Sequence, residues 1–288
     1  MQDRSPFLDA VSTGRGGAWR SIGGAIAIFA TWQIAMTIGT SVAAAFASKL
    51  PLPAGYTGIL RLWGFFWAPI GLVGGLWLVQ TAVHGRTLLS LVTARPHIEW
   101  RRIATGAAVW AALLSVAEVV AVLLAPGAYR LTFQPGPFFA SLVALVPLIA
   151  LQALGEEMFF RGYLLQAIAR YTRSWWLLVP LGATLFSLPH LGNPEVGSGG
   201  WAVVASYALM GGFLTAVALR DDRLELAIGL HVANNLAAAI VVGTSTSVIA
   251  GTAPVFTTAE SSPLLALAVV VIQATVFWLV VFRPWRTT

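Results

Sequence analysis

The chain has 288 residues, of which 58% are hydrophobic and only 10% charged, with a mean hydropathy of +0.80. A surface so poor in charge cannot be covered by water, so lipid is the expected solvent over most of it. Cysteine is absent, which excludes a disulfide framework, a thiol nucleophile and a Cys-based metal site, and the net charge of +6 falls between apolar runs, as membrane orientation requires and nucleic-acid binding does not.

In chain order, eight apolar segments are predicted to span: 22–48, 58–83, 103–125, 138–170, 174–191, 200–219, 224–243 and 262–282. The first begins behind Arg4, Arg15 and Arg20 and is long enough to cross, so it is expected to be a span and not a cleaved leader. Between the second and third, the segment from Gly85 to Arg102 is expected to form a short amphipathic helix lying on the membrane. The fourth is longer than a bilayer needs and should overhang or tilt. Proline and glycine clusters mark the gaps, among them Pro51-Leu52-Pro53, Pro135-Gly136-Pro137 and Gly197-Ser198-Gly199-Gly200. No internal repeat is visible, so residues 1–288 read as a single all-α polytopic membrane domain.

The basic residues orient it. With the N-terminus inside, the inner segments carry 13 of them (Arg4, Arg15, Arg20, Arg86, Arg95, Arg101, Arg102, Arg170, Arg173, Arg220, Arg223, Arg283 and Arg286) against 3 outside (Lys49, Arg61 and Arg130). The alternation through eight spans puts both termini in the cytoplasm. The Ala-, Gly-, Arg- and Trp-rich composition points to a high-GC bacterial source, hence to a bacterial plasma membrane.

Among the titratable residues inside these spans, Glu118, Glu156, Glu157, Arg161, His190 and His231 stand out. Placing a charge there costs on the order of 2.5–3.5 kcal/mol on insertion scales, so such residues are expected to face a polar interior. On a regular helix Glu157 and Arg161 lie about 40° apart and can pair, whereas Glu156 lies about 140° from Arg161 and cannot. One carboxylate is thus expected in an ion pair and the other desolvated and free, the arrangement a general base for water needs. On the fifth segment Phe186 and His190 share a face. The fourth and fifth segments form a hairpin around residues 171–173, and Glu156 (16 residues before Thr172) and His190 (18 after it) lie at nearly one level. On the seventh, His231 and Asn235 are four apart and face one way. Both can donate to a developing oxyanion, or His231 can ligate a metal; Asn234 points about 100° away. His-Glu-x-x-His and Gly-x-Ser-x-Gly are both missing.

The ordered set Glu156-Glu157-x-x-x-Arg161, Phe186-x-x-x-His190 and His231-x-x-x-Asn235 resembles the signature of the CAAX-prenyl endopeptidase and bacteriocin-processing (CPBP, or Abi) family of intramembrane proteases. The resemblance covers residues 138–243, a catalytic core; the other spans match only in being hydrophobic. It implies an endopeptidase acting on a membrane-associated or lipidated polypeptide, of glutamate or metallo type. Glu156 would activate water and His190 orient it or share its proton. His231 and Asn235 would stabilise the oxyanion, and Glu157 with Arg161 would hold the site together. As a metal site, Glu156, His190 and His231 would supply three zinc ligands with a fourth position open; Asn235, a poor zinc ligand and a good oxyanion donor, favours the metal-free form with no cofactor. The implied partners are membrane lipid and a peptide or protein substrate, with no nucleic acid; oligomeric state is left open. Two competing readings remain at this level: a non-enzymatic membrane immunity factor or scaffold for another membrane enzyme, and a transporter using Glu118 and Glu156 as proton sites.

Overall fold

The computed structural model describes residues 5–258 and 262–283; Arg4 and Arg286 of the orientation count lie outside them. The chain is all-α and polytopic, with helical elements at all eight predicted places. Six are long and apolar enough to cross a membrane: α1 (Ala18–Ala47), α2 (Gly55–His84), α3 (Trp100–Leu124), α4 (Pro135–Ile168), α6 (Pro194–Asp221) and α8 (Pro263–Val281). The expectation of eight full spans is not confirmed. Helix α5 (Trp175–Ser187) has 13 residues, about 20 Å, and α7 (Glu225–Val241) about 25 Å, against a hydrocarbon core of about 30 Å. Apolar residues continue past both helices, but α5 tightens into the 3₁₀ segment Leu188–Gly192, and α7 ends in a π turn at Ala237–Val241 that runs into a strand.

The helices pack around three apolar clusters. One joins Ile28, Leu72, Leu76, Met158, Phe159, Phe160 and Phe186; a second holds Trp110, Leu214, Leu226, Leu230 and Phe277; a third holds Leu62, Phe66, Leu145 and Ile149. The α3–α7 contact is the closest kind of crossing. A Cβ at Gly229 would overlap the Ile103 carbonyl, and one at Gly106 would overlap that of Leu226, so only glycine lets these backbones meet. Large apolar side chains such as Leu124, Val143 and Trp176 stay exposed, as a lipid-facing surface requires.

One end of the bundle gathers the predicted inner segments. Ser5 bonds Asp222, Arg173 pairs with Asp9, Arg102 pairs with Asp221, and Arg223 pairs with Glu99. Arg220 lies over the Phe282 ring at the end of α8. The N-terminal turn and four other inner segments thus share one face, in keeping with the charge alternation. Arg223 beside Glu99 holds that carboxyl below the usual carboxylate range. The stretch from Gly85 to Arg102 is not a surface helix. It turns at Gly85 (φ 67°), makes one helical turn at Leu89–Val92 and tucks under the bundle, where Val92 O accepts from Leu224 N at 2.9 Å. Arg86 goes inside with it and donates to Gln166 at 2.6 Å; burial pushes its guanidinium down to about 10, which leaves it charged at neutral pH.

At the opposite end, β1 (Tyr129–Leu131), β2 (Val242–Gly243) and β3 (Phe256–Thr258) form a small sheet in the order β1-β3-β2, with β1 antiparallel and β2 parallel to β3. It anchors the loop between β2 and β3, which forms part of the wall of the cavity described next. Glu118, unassigned by sequence, accepts from the Tyr129 hydroxyl at 2.8 Å.

Candidate active site

Helix α4 leaves α geometry directly after Glu157 and runs as a π turn from Met158 to Leu164. A π turn takes more residues per revolution than the regular helix assumed from sequence, and such turns occur often at functional sites. Even so, Arg161 reaches back to Glu157, with its NH1 donating to Oε1 at 2.9 Å. Both side chains are fully buried. The other guanidinium atoms are held as well: NH2 donates to Gly211 O at 2.8 Å, Nε to Thr215 Oγ1 at 3.4 Å, and the plane lies 4.5 Å from the Phe186 ring centroid.

The same Glu157 oxygen accepts from His231 Nδ1 at 2.8 Å. A carboxylate already paired with a guanidinium can only accept, so His231 donates from Nδ1 and turns its Nε2 toward Glu156. That Nε2 lies 3.7 Å from Glu156 Oε2, an oxygen with no hydrogen-bond partner. The second oxygen of Glu156 accepts from Gln152 Nε2 at 2.9 Å. The two carboxylates are therefore differentiated as the sequence implied: Glu157 is locked into the ion pair, and Glu156 is buried with one oxygen free.

His190 sits on the 3₁₀ segment after α5. Its Nδ1 donates to Phe186 O at 2.7 Å, which leaves Nε2 as the free nitrogen. Asn235 donates from Nδ2 to Gln152 Oε1 at 3.4 Å, while Asn234 is turned toward α3 and accepts from the Trp110 indole at 3.2 Å.

Glu156, His190, Asn235 and Gln152 line one cavity of about 560 Å³. Its other walls are apolar side chains of α1, α2 and α4, namely Trp32, Met36, Phe65, Phe66 and Ile149, and a polar group beyond His190 made of Asn193, Glu195 and Tyr207. His231 lies behind Glu156 and does not form the wall. Among the described residues no group of three or more His, Cys, Asp or Glu side chains is placed to hold a metal ion. Glu156, His190 and His231 as they stand are not gathered as a zinc ligand set, and each imidazole donates from Nδ1 to a protein acceptor, which leaves Nε2 as its other nitrogen.

Sequence reasoning named the six motif residues and missed Gln152, which joins Glu156 to Asn235. Its signal was present: an amide four residues before Glu156 on an otherwise apolar helix. Tyr207, Asn193 and Glu195 offered no such signal, since only the fold brings them to His190.

Residues 138–237 match the family model described as Type II CAAX prenyl endopeptidase Rce1-like, a stretch that contains all six motif residues and is consistent with the CPBP family. The chain is also 29% identical over 194 residues to a Bacillus subtilis (strain 168) protein named Uncharacterized protein YyaK. That alignment covers 67% of this chain and 64% of the relative's length. No solved structure matches the chain.

Proposed function

We propose, on the premise of an Rce1-like core within a multi-pass membrane protein, that this chain is an intramembrane endopeptidase that hydrolyses a peptide bond of a membrane-associated or lipid-modified polypeptide with a glutamate-activated water. The observation that carries the reading is Glu156 itself: it lines the cavity, pairs with no guanidinium, and keeps its buried Oε2 without a hydrogen-bond partner, 3.7 Å from His231 Nε2.

The chemistry follows from which atoms are free. Water in the cavity gives a proton to the Glu156 carboxylate as its oxygen attacks the substrate carbonyl carbon. His231 Nε2, behind that carboxylate, can share the proton, and Glu157 and Arg161 fix the imidazole in the tautomer this requires. The tetrahedral oxyanion is met by the Asn235 amide, which has only a long bond to Gln152 to give up. The proton then passes to the leaving nitrogen, the C–N bond breaks, and a carboxylate and an amine leave. His190 Nε2 faces the same cavity and orients the water or the leaving group. The family resemblance assigns oxyanion stabilisation to His231 as well; its place behind Glu156 supports a proton-holding role instead. No step is routed through a metal.

The apolar walls from α1, α2 and α4 suit a greasy side chain or lipid chain next to the scissile bond. The basic end of the bundle is assigned to the cytoplasm of a bacterial cell, with both termini there.

The test is profiling of membrane-peptide termini in cells making the wild type, Glu156→Ala or Glu156→Gln. Termini that appear with the wild type alone are expected, with a loss of about 10²–10⁴-fold in rate for either variant. Equal cleavage by Glu156→Gln, at equal protein level, would remove the proposed base and leave a non-catalytic immunity or scaffold role.

A further inference from the structure

His190 presents a mechanical problem. It stands on a five-residue 3₁₀ segment behind Pro189, outside any regular helix, and is only partly buried. One hydrogen bond, from Nδ1 to Phe186 O, holds its ring. A single bond leaves the imidazole free to tilt about that contact, and a catalytic group misplaced by 1 Å can lose about 10²-fold in rate.

A second contact comes from α6. The Tyr207 ring centroid lies 4.5 Å from that of His190 at an interplanar angle of 34°, while the Phe186 ring lies 4.7 Å away at 35°. Two aromatic rings therefore hold the imidazole. Tyr207 is itself held at its far end: its hydroxyl donates to Glu195 Oε1 and accepts from Asn193 Nδ2 at 2.9 Å. The remaining Glu195 oxygen accepts from the Val248 backbone N–H at 3.0 Å, in the β2–β3 loop that closes the cavity through Ser247, Val248 and Ile249. One carboxylate thus fastens both the ring beside His190 and the cavity wall opposite it. None of these four residues belongs to the three motifs.

We infer that Tyr207 is a positioning residue for His190, anchored through Glu195 to the loop that walls the cavity. The inference deepens the hydrolase reading and rests on it only for the catalytic consequence. Ring stacking does the positioning, and the Glu195 bond fixes the ring. Tyr207→Phe keeps the stack and loses the anchor, whereas Tyr207→Leu loses both.

The test reads the imidazole directly. The chain has four histidines, so ¹⁵N-histidine-labelled full-length protein in micelles gives a sparse spectrum in which the His190 signal is the one missing from His190→Gln. In the wild type that signal should report the Nδ1-protonated tautomer. Tyr207→Leu should move it toward the average of two tautomers while the His84 and His231 signals stay in place. With a substrate peptide identified by terminal profiling, kcat should fall about 10–100-fold with KM nearly unchanged, and Tyr207→Phe should fall in between. An unchanged His190 signal in Tyr207→Leu overturns the inference, as does a moved signal with unchanged kcat. If Tyr207→Leu disturbs all the histidines, Tyr207→Phe and Glu195→Gln decide by the same readings. If the wild type cleaves nothing, the hydrolase reading fails while the spectrum still tests the clamp.

Discussion

Arg161 offers a sharp test of the interior. Its guanidinium is fully buried and donates to Glu157 Oε1, Gly211 O and Thr215 Oγ1. Arg161→Met fills similar space but leaves the Glu157 carboxylate in a low-dielectric interior with His231 as its remaining partner. Breaking a buried pair from one side costs about 3–5 kcal/mol. Gly211 O adds little to this, because Thr215 Oγ1 still donates to it at 2.8 Å. Glu157→Gln with Arg161→Met removes both charges, and the orphaned-charge part of the cost vanishes with them. The double variant is therefore expected to lose less than the sum of the singles, with a coupling of at least about 2 kcal/mol. Unfolding by SDS titration from mild micelles, followed by the 12 tryptophans, reads all four proteins. Additive losses would refute the view that this ion pair is a desolvated unit. Arg161→Lys should fall between, since one ammonium cannot copy the fork that reaches Glu157 and Gly211 together.

Asn235→Ala should lower kcat by about 10²–10³-fold with little change in melting temperature, as expected for an oxyanion donor whose N–H group makes only a long ground-state bond; a matching loss of stability would recast it as structural. Gly229→Val should prevent α3 and α7 from meeting and fail to yield folded protein in micelles by size-exclusion, whereas Gly127→Ala, whose added methyl meets nothing, should behave as wild type. Burial, then the hydrogen bond to Glu118, pushes the Tyr129 hydroxyl up to about 12. A raised pKa means that this contact stabilises fully below about pH 10 and is lost as pH rises through about 12. Tyrosinate absorbance should therefore show a late component whose amplitude falls by one residue in Tyr129→Phe.

Much of the fold was legible because hydropathy reports which stretches prefer lipid, and all eight helical places were found that way. Hydropathy does not report where a helix stops. Leu188 and Leu191 are as apolar as any residue of α5 yet belong to a 3₁₀ segment, and Ala237–Val241 reads as helix in composition but is a π turn. Counting apolar residues therefore did not fix the ends of these two segments. The same gap explains the 85–102 segment, whose Arg86 looks interfacial until Gln166, eighty residues on, gives it a buried acceptor. At the site, spacing four apart placed Glu157 with Arg161 and Phe186 with His190, because those contacts are local. The Tyr207–Glu195–Val248 chain depends on how α6 and the β2–β3 loop are brought together, which no local spacing encodes.

The charge count explains why the free carboxylate is at Glu156. At the basic end arginines meet acids with water at hand, as in Arg173–Asp9 and Arg102–Asp221, and such pairs contribute little. Beside the cavity two buried carboxylates, Glu156 and Glu157, lie near one buried guanidinium, Arg161. Arg161 bonds Glu157 and not Glu156, so the second carboxylate has no fixed counter-charge. A site built only for stability would have neutralised or deleted that group, since an unpaired buried charge is among the costliest features a fold can carry. Here the group is kept at the wall of the one cavity that also receives His190 and Asn235. A buried carboxylate on a cavity wall, with an imidazole beside it and no guanidinium of its own, is the arrangement the proposed base requires.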